Sequence, residues 1–395
     1  WAADPRSNNA VQPFSLVGFL TLRIGFLSAA FPPDFDGIGD YTYWLAKALA
    51  EAQVATSVWT STGPPRVPCE GVEVHPFFDP EKPQAIKQLP ALLAKGGRLD
   101  WLVVEYNPFG FGKWGYCPWL IDAVRRLKKS RETQVAVMFH ETQVPDRPFK
   151  LWVMRQWQHR QLRALARLAD TIFVSTTRWI GEIKEVFPQA VCHHLPVGSN
   201  LPTSPLSVAT ARENLKLAED TLVLGMFGSS HPSRMTDWMS AAVRAAASVQ
   251  EKLVVLYVGK DGQSFREVCA GFPFMDQGPL PADAAADRMR AMDLLISPFI
   301  DGISTRRGSA IAGFQHGVAV ASTWADHTDA LLREGAPANL ILAPRDDQKA
   351  FTEKINQWVV SKWKRGESGR EEMEAFFQKH FAWPVIARKT LDQLR

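Results

Sequence analysis

The sequence predicts an α/β chain built as two doubly wound domains that face each other across a cleft. Three observations carry this expectation. Short apolar runs alternate with amphipathic stretches from Leu22 to Leu195, as βα units do. Pro196–Pro205, rich in Pro, Gly, Ser and Asn, then interrupts them like an interdomain linker. The alternation restarts at Leu222 and continues to Leu342. At 395 residues the chain is long enough for two or three cores.

Leu22–Ser28 reads as the first strand. Phe31–Asp40 is a loop, and Tyr41–Ala52 is an amphipathic helix with Leu45, Ala46 and Leu49 on one face. Gly37 and Gly39 in that loop permit close approach of a ligand. A third glycine is missing and no acid ends the second strand, Val54–Thr60, so the dinucleotide-binding fingerprint is absent. A short strand at Val72–Val74, a helix at Ala85–Ala94 and a strand at Trp101–Glu105 follow. The loop Tyr106–Tyr116 is rich in glycine and aromatics. Gln134–Phe139 reads as a buried strand, with His140 and Glu141 at its C-terminal end, where ligands collect in open α/β sheets. His140 is there either as a site residue or as the polar cap of a loop. Phe149–Ala169 is a long helix whose Arg160, Arg163 and Arg167 share a face. That face suits water, an anionic acceptor or a membrane surface. Strands at Thr171–Ser175 and Val191–Leu195 flank a helix at Trp179–Val186.

In the second half, strand Leu222–Met226 leads into the small-residue loop Phe227–Arg234 and the helix Met235–Ser248. Further strands read at Leu253–Val258, Asp293–Ser297, Val318–Ala321 and Leu340–Leu342. Between two of them, Ser297–Gly317 holds Asp301, Ser304, Arg306, Arg307, Gly308 and Ser309, with the small residues where a helix would begin. Two arginines, two hydroxyls and the free N–H groups of a helix start suit a diphosphate. The same composition also fits a solvated basic turn. The tail Arg370–Leu394 reads as helical, broken near Ala382–Pro384.

Composition narrows the class. Apolar residues make up 46% and charged residues 22%, as in soluble globular chains. The net charge of +4 and the motifs give no sign of a nucleic-acid binder. Cys69, Cys117, Cys192 and Cys269 are scattered, without metal-ligand or redox spacing, and fit reduced thiols in the cytoplasm. Phe14–Ile24 is apolar but short and broken by Arg23, so neither a transmembrane helix nor a signal peptide is expected. Trp114, Trp119, Trp152 and Trp157 lie in polar surroundings, where a ring serves either packing or carbohydrate contact.

Taken together, several segments resemble the retaining glycosyltransferases of the GT-B fold, in particular glycosyltransferase family 4. Phe31–Ala50 is similar to that family's glycine loop and first helix. Phe139–Glu141 resembles its site histidine after a buried strand, and Pro196–Pro202 its interdomain crossing. Phe227–Arg234 resembles its phosphate loop with a basic residue. Gly278–Phe299 resembles the base-reading loop with the helix and strand after it, and Phe381–Leu394 the closing helix. One departure falls at the donor site: the family's two glutamates, eight positions apart before the glycine matched by Gly317, are replaced by Ser304 and Ala312.

The resemblance implies an N-terminal acceptor-binding domain over 1–198, a nucleotide-sugar-binding domain over 199–380 and a closing helix over 381–395 returning to the first domain. It implies hexosyl transfer with retention from a nucleotide-diphosphate sugar to an acceptor. No metal or other cofactor is expected, because no acidic pair is positioned to bridge a cation and the diphosphate. The expected location is cytoplasmic, with contact at the inner membrane face left open. Arg234, Arg306 and Arg307 are expected to stabilise the leaving diphosphate with Ser229, Ser230, Gly308 and Ser309, Gly37 and Gly39 closing the far side. Ser304 and Asp301 are placed with the donor, Glu105 and Tyr106 with the acceptor, and His140 is expected to orient the reacting groups. A nucleotide-sugar epimerase and a non-catalytic carbohydrate-binding protein of the same fold are the alternatives.

Overall fold

The computed structural model describes residues 22–96, 98–142, 149–366 and 369–395; most of the apolar stretch beginning at Phe14 lies outside them. The first sheet comprises β1 (Arg23–Leu27), β2 (Ala55–Ser61), β3 (Val72–Phe78), β4 (Trp101–Tyr106), β5 (Gln134–Phe139), β6 (Thr171–Val174) and β7 (Cys192–His194). The second comprises β8 (Leu222–Phe227), β9 (Leu253–Val258), β10 (Phe274–Asp276), β11 (Leu294–Ile296), β12 (Ala319–Trp324) and β13 (Leu340–Pro344). Their orders are β3-β2-β1-β4-β5-β6-β7 and β10-β9-β8-β11-β12-β13. Every pair is parallel. This is the two-sheet doubly wound architecture expected.

Parallel strands are covered by helices on both faces, which is why they read as continuous apolar runs. On β4 the alternation is clear: Leu102, Val104 and Tyr106 enter one core, Trp101 and Val103 the other. β3 runs further than its sequence suggests because it lies at a sheet edge, where Pro76 costs no ladder bond. β10, three residues long, is too short to show in the sequence.

Order reverses between β1 and β4 in the first sheet and between β8 and β11 in the second. Such switch points open a crevice at the carboxyl ends of the strands. The closing helix Trp383–Leu394 returns to the first sheet, burying Ile386, Ala387, Leu391 and Leu394 with Leu45 and Leu49 of the helix Gly37–Glu51. Each fully buried Leu or Ile contributes about 1.5–3 kcal/mol. The indole N–H of Trp383 also donates to the Ser199 carbonyl at 2.8 Å, on the crossing between sheets. Gly198 makes room for that ring, since a Cβ there would lie 2.5 Å from it.

Candidate active site

The loops after β8 and β11 meet at the second switch point. Arg234 and Phe299 pair in an antiparallel bridge. Ile300 N–H donates to the Ser233 carbonyl (2.9 Å) and Met235 N–H to the Pro298 carbonyl (3.2 Å). This zipper gathers three guanidinium groups. Asp301 accepts from Arg306 at 2.8 Å and from Arg307 at 2.7 Å. Arg307 also donates to Ser233 Oγ (3.2 Å), and Arg234 to the Phe227 carbonyl (2.6 Å). Arg307 and Arg234 lie over the Phe299 ring at 4.2 and 5.5 Å, while Arg306 lies over Trp179 of the first domain at 5.2 Å.

The electrostatics are unbalanced in favour of an anion. Burial and the neighbouring Arg307 bring Arg234 down to about 10, so it stays charged at neutral pH but at a cost. Burial and Arg306 likewise lower Arg307, with Asp301 offsetting part. Burial opposes the charge on Asp301, yet Arg307 and Arg306 outweigh it and hold its carboxyl below the ordinary value. Buried Arg234 Nη1, Arg306 Nε and Arg307 Nε have no hydrogen-bond partner. An arriving anion can satisfy what one carboxylate does not.

The other donor-side residues divide. The helix Gly308–Gln315 begins beside the arginines without a side-chain cap, and a Cβ on Gly308 would meet nothing within 4 Å, so its start is open. Ser309 is partly exposed there. Ser229 and Ser230 are exposed on the loop after β8, where Ser230 N–H is already bonded to Asp261 (2.6 Å). Asp301 holds the arginine forks. Two placements need correction. The Ser304 hydroxyl is enclosed and does not reach the opening. Gly39 does not present a free N–H group to a ligand. The helix starts at Gly37, not Tyr41, because Asp36 caps it, accepting from Ile38 and Gly39 N–H at 2.9 Å each. A Cβ on Gly39 would sit 3.0 Å from the Ala30 backbone, so its smallness serves the chain's own packing.

Across the crevice, at the first switch point, His140 Nε2 lies 2.6 Å from Glu105 Oε2. Both sit on the face of the sheet that carries the helix Gly37–Glu51, whose Tyr41 packs edge-on to His140 at 4.9 Å and to Trp383 at 5.4 Å. Burial raises the Glu105 carboxyl above its ordinary value, and the His140 bond offsets part of this. Glu105 therefore holds His140 rather than an acceptor. Tyr106, one residue on, must point to the opposite face. Its ring is buried in the other core, edge-on to Phe139 at 5.3 Å, and cannot meet an acceptor. Glu141, next to His140, is close enough to favour the charge on Arg307.

No sequence motif points to Asp329. It is buried between the sheets and accepts from Thr305 N–H and Oγ1 (2.8 Å each), Thr177 N–H (2.7 Å) and Oγ1 (2.8 Å), and Thr176 Oγ1 (3.2 Å). Thr305 precedes the two arginines, so this knot ties the arginine loop to the first domain. Ser233 was missed for the same reason: its role depends on a partner 74 positions away.

Asp40 supplies a pH test. Burial first, then Asp36, raises its carboxyl from 3.8 to about 6, while the 3.2 Å bond from Asn200 across the domains opposes this. The folded chain therefore holds that proton more tightly than the unfolded one. Stability falls as pH rises from about 4 to about 6 and stays lower above. Asp40→Asn is expected to raise Tm above pH 6 and leave it unchanged near pH 4. Equal Tm differences at both pH values would remove the burial argument.

No family model matches the chain, and no curated protein matches it. Solved structures do. Sucrose-phosphate synthase from Thermosynechococcus elongatus superposes with a TM-score of 0.72 at 18% identity, covering 94% of this chain and 98% of that one. Anabaena HepE, solved in complex with UDP and glucose, gives 0.66 at 14% identity, covering 94% and 99%. A glycosyltransferase from Rickettsia africae gives 0.66 at 14% identity, covering 95% and 98%. The likeness runs over nearly the whole chain, and the fold is GT-B.

Proposed function

Starting from that fold, we propose that the chain transfers a glycosyl group from a nucleoside-diphosphate sugar to an acceptor. The observation that supports this reading most is the half-buried cluster Arg234, Arg306 and Arg307, whose charge Asp301 only partly balances. As the bond between the anomeric carbon and the phosphate oxygen breaks, negative charge collects on the β-phosphate. Guanidinium groups already fixed against Phe299 and Trp179 stabilise that charge without reorganising. The acceptor hydroxyl oxygen forms the new bond to the anomeric carbon, and its proton passes to the departing phosphate. In this reading the configuration is retained, and His140, held by Glu105, orients the reacting groups. The arginines supply the cationic charge, so the reaction is expected to run without a divalent metal. HepE, with UDP and glucose in its complex, makes UDP-glucose the first donor to try.

The test is incubation with UDP-, GDP- and ADP-sugars without acceptor, with and without EDTA. Slow release of nucleoside diphosphate, unaffected by EDTA, is expected with one of them. An epimerised donor would point to an epimerase instead. Failure of every nucleotide to bind in calorimetry would reduce the chain to a non-catalytic member of the fold.

A further inference from the structure

A second surface stands apart from the arginine cluster. The loop 107–116 and the first turns of the helix Phe149–Leu168 expose Phe149 (76%), Trp114 (56%), Tyr116 (52%), Trp152 (47%) and Phe109 (45%). Single exposed apolar residues are ordinary, but a contiguous group of large rings is not. These are contiguous: Phe149 stacks on Trp152 at 5.7 Å, the Lys150 ammonium sits 5.7 Å over Trp114, and Tyr116 meets Trp157 at 6.4 Å. The support is rigid. Trp157 Nε1 donates to the Trp114 carbonyl (3.1 Å), and the Gln161 side chain bonds both Gly115 O and Cys117 N–H at 2.7 Å. Trp114 itself is held at φ 59°, a conformation few side chains adopt.

Charge singles out the same face. The helix Phe149–Leu168 has five cations and no acid in 20 residues. Its exposed side runs from Phe149, Trp152 and Val153 through Gln156 to Arg160, Arg163 and Arg167. From Asn107 to Ala169 the sequence has twelve Lys and Arg against four Asp and Glu, a net +8, whereas the whole chain is +4. The positive charge is therefore concentrated in this stretch of the sequence.

We propose that this face docks on an anionic lipid bilayer. Aromatic rings with a polar edge settle at the headgroup boundary, and flanking cations are drawn to anionic headgroups. Stacking of single-stranded nucleic acid is disfavoured, because Phe149 and Trp152 cover one another and Lys150 covers Trp114. Docking would be peripheral: among the described residues, no helix is long and apolar enough to cross a membrane. Phe149 follows His140 by nine positions, so a docked chain would keep His140 within about 30 Å of the bilayer surface.

Sedimentation of the full chain with vesicles tests this. Binding is expected to phosphatidylcholine vesicles containing phosphatidylglycerol, weaker binding to phosphatidylcholine alone, and weakening with salt. The combined variant Trp114→Ser, Phe149→Ser, Trp152→Ser alters exposed side chains, so it should fold, and is expected to lose at least tenfold in binding. Arg160→Gln, Arg163→Gln and Arg167→Gln together are expected to lose about a hundredfold. No sedimentation of the parent at low salt would overturn the proposal. So would parent-like binding by the aromatic variant, or tighter binding of single-stranded DNA than of vesicles.

Discussion

Arg307→Ala lowers affinity for the nucleoside-diphosphate sugar by about tenfold to a hundredfold, the worth of one charge-assisted contact of about 1.5–3 kcal/mol. The fold is expected to survive, because Asp301 keeps Arg306 and no buried carboxylate is stranded. Arg307→Lys should bind nearly as poorly, since the planar fork that reaches Asp301 and Ser233 together is lost. Arg160→Ala, on the exposed side of the long helix, should leave donor affinity unchanged. Calorimetry on each variant decides. If Arg306→Ala and Arg307→Ala both stay folded and bind like the parent, the cluster is an ion-pair network that braces the loop, and the phosphate role fails.

Glu105→Ala is expected to be the more damaging change to the fold. It removes the only side chain bonded to His140 Nε2 among the described residues, and it empties a fully buried position. Breaking a buried, hydrogen-bonded pair costs about 3–5 kcal/mol. Glu105→Gln keeps the volume and a bond to His140, so it should cost less stability. In the transfer reading, it should still reduce kcat more than it raises the donor KM, because the imidazole loses its charged partner. Urea unfolding and steady-state rates of both variants provide the check. Unfolding of Glu105→Ala at the parent's midpoint, with parent rates, would show that the pair neither supports the fold nor orients a reacting group.

The two variants differ because the two sites are built differently. The arginine cluster carries surplus charge held near the surface, so losing one member relieves repulsion as well as removing a contact. The Glu105–His140 pair is largely buried, with Tyr41 packed edge-on to the imidazole, so little is at hand to replace a lost partner.

Much of this architecture follows from local chemistry. Apolar runs such as Leu102 to Val104 and Val135 to Phe139 can only be covered on both faces, which demands parallel strands flanked by helices. The bridging segment from Pro196 cannot continue either element type, so the array has to break there. The stretch from Asp301 to Ser309 carries its composition openly, with small residues where the helix begins at Gly308. The joint placing of Glu105 and Tyr106 with the acceptor overlooks that neighbours on a strand face opposite ways. Only the tertiary structure decided how these charges and hydroxyls are used. The turn after β11 brings Asp301 between two guanidinium groups. The glycine loop could have cradled a phosphate, but Asp36 reaches the Ile38 and Gly39 N–H groups first. Asp329, Ser233 and Trp383 find partners 74 to 184 positions away. Periodicity records which side of an element faces the core. It does not record which distant group a buried charge must find to remain charged, and that choice is made only when the two sheets close on each other.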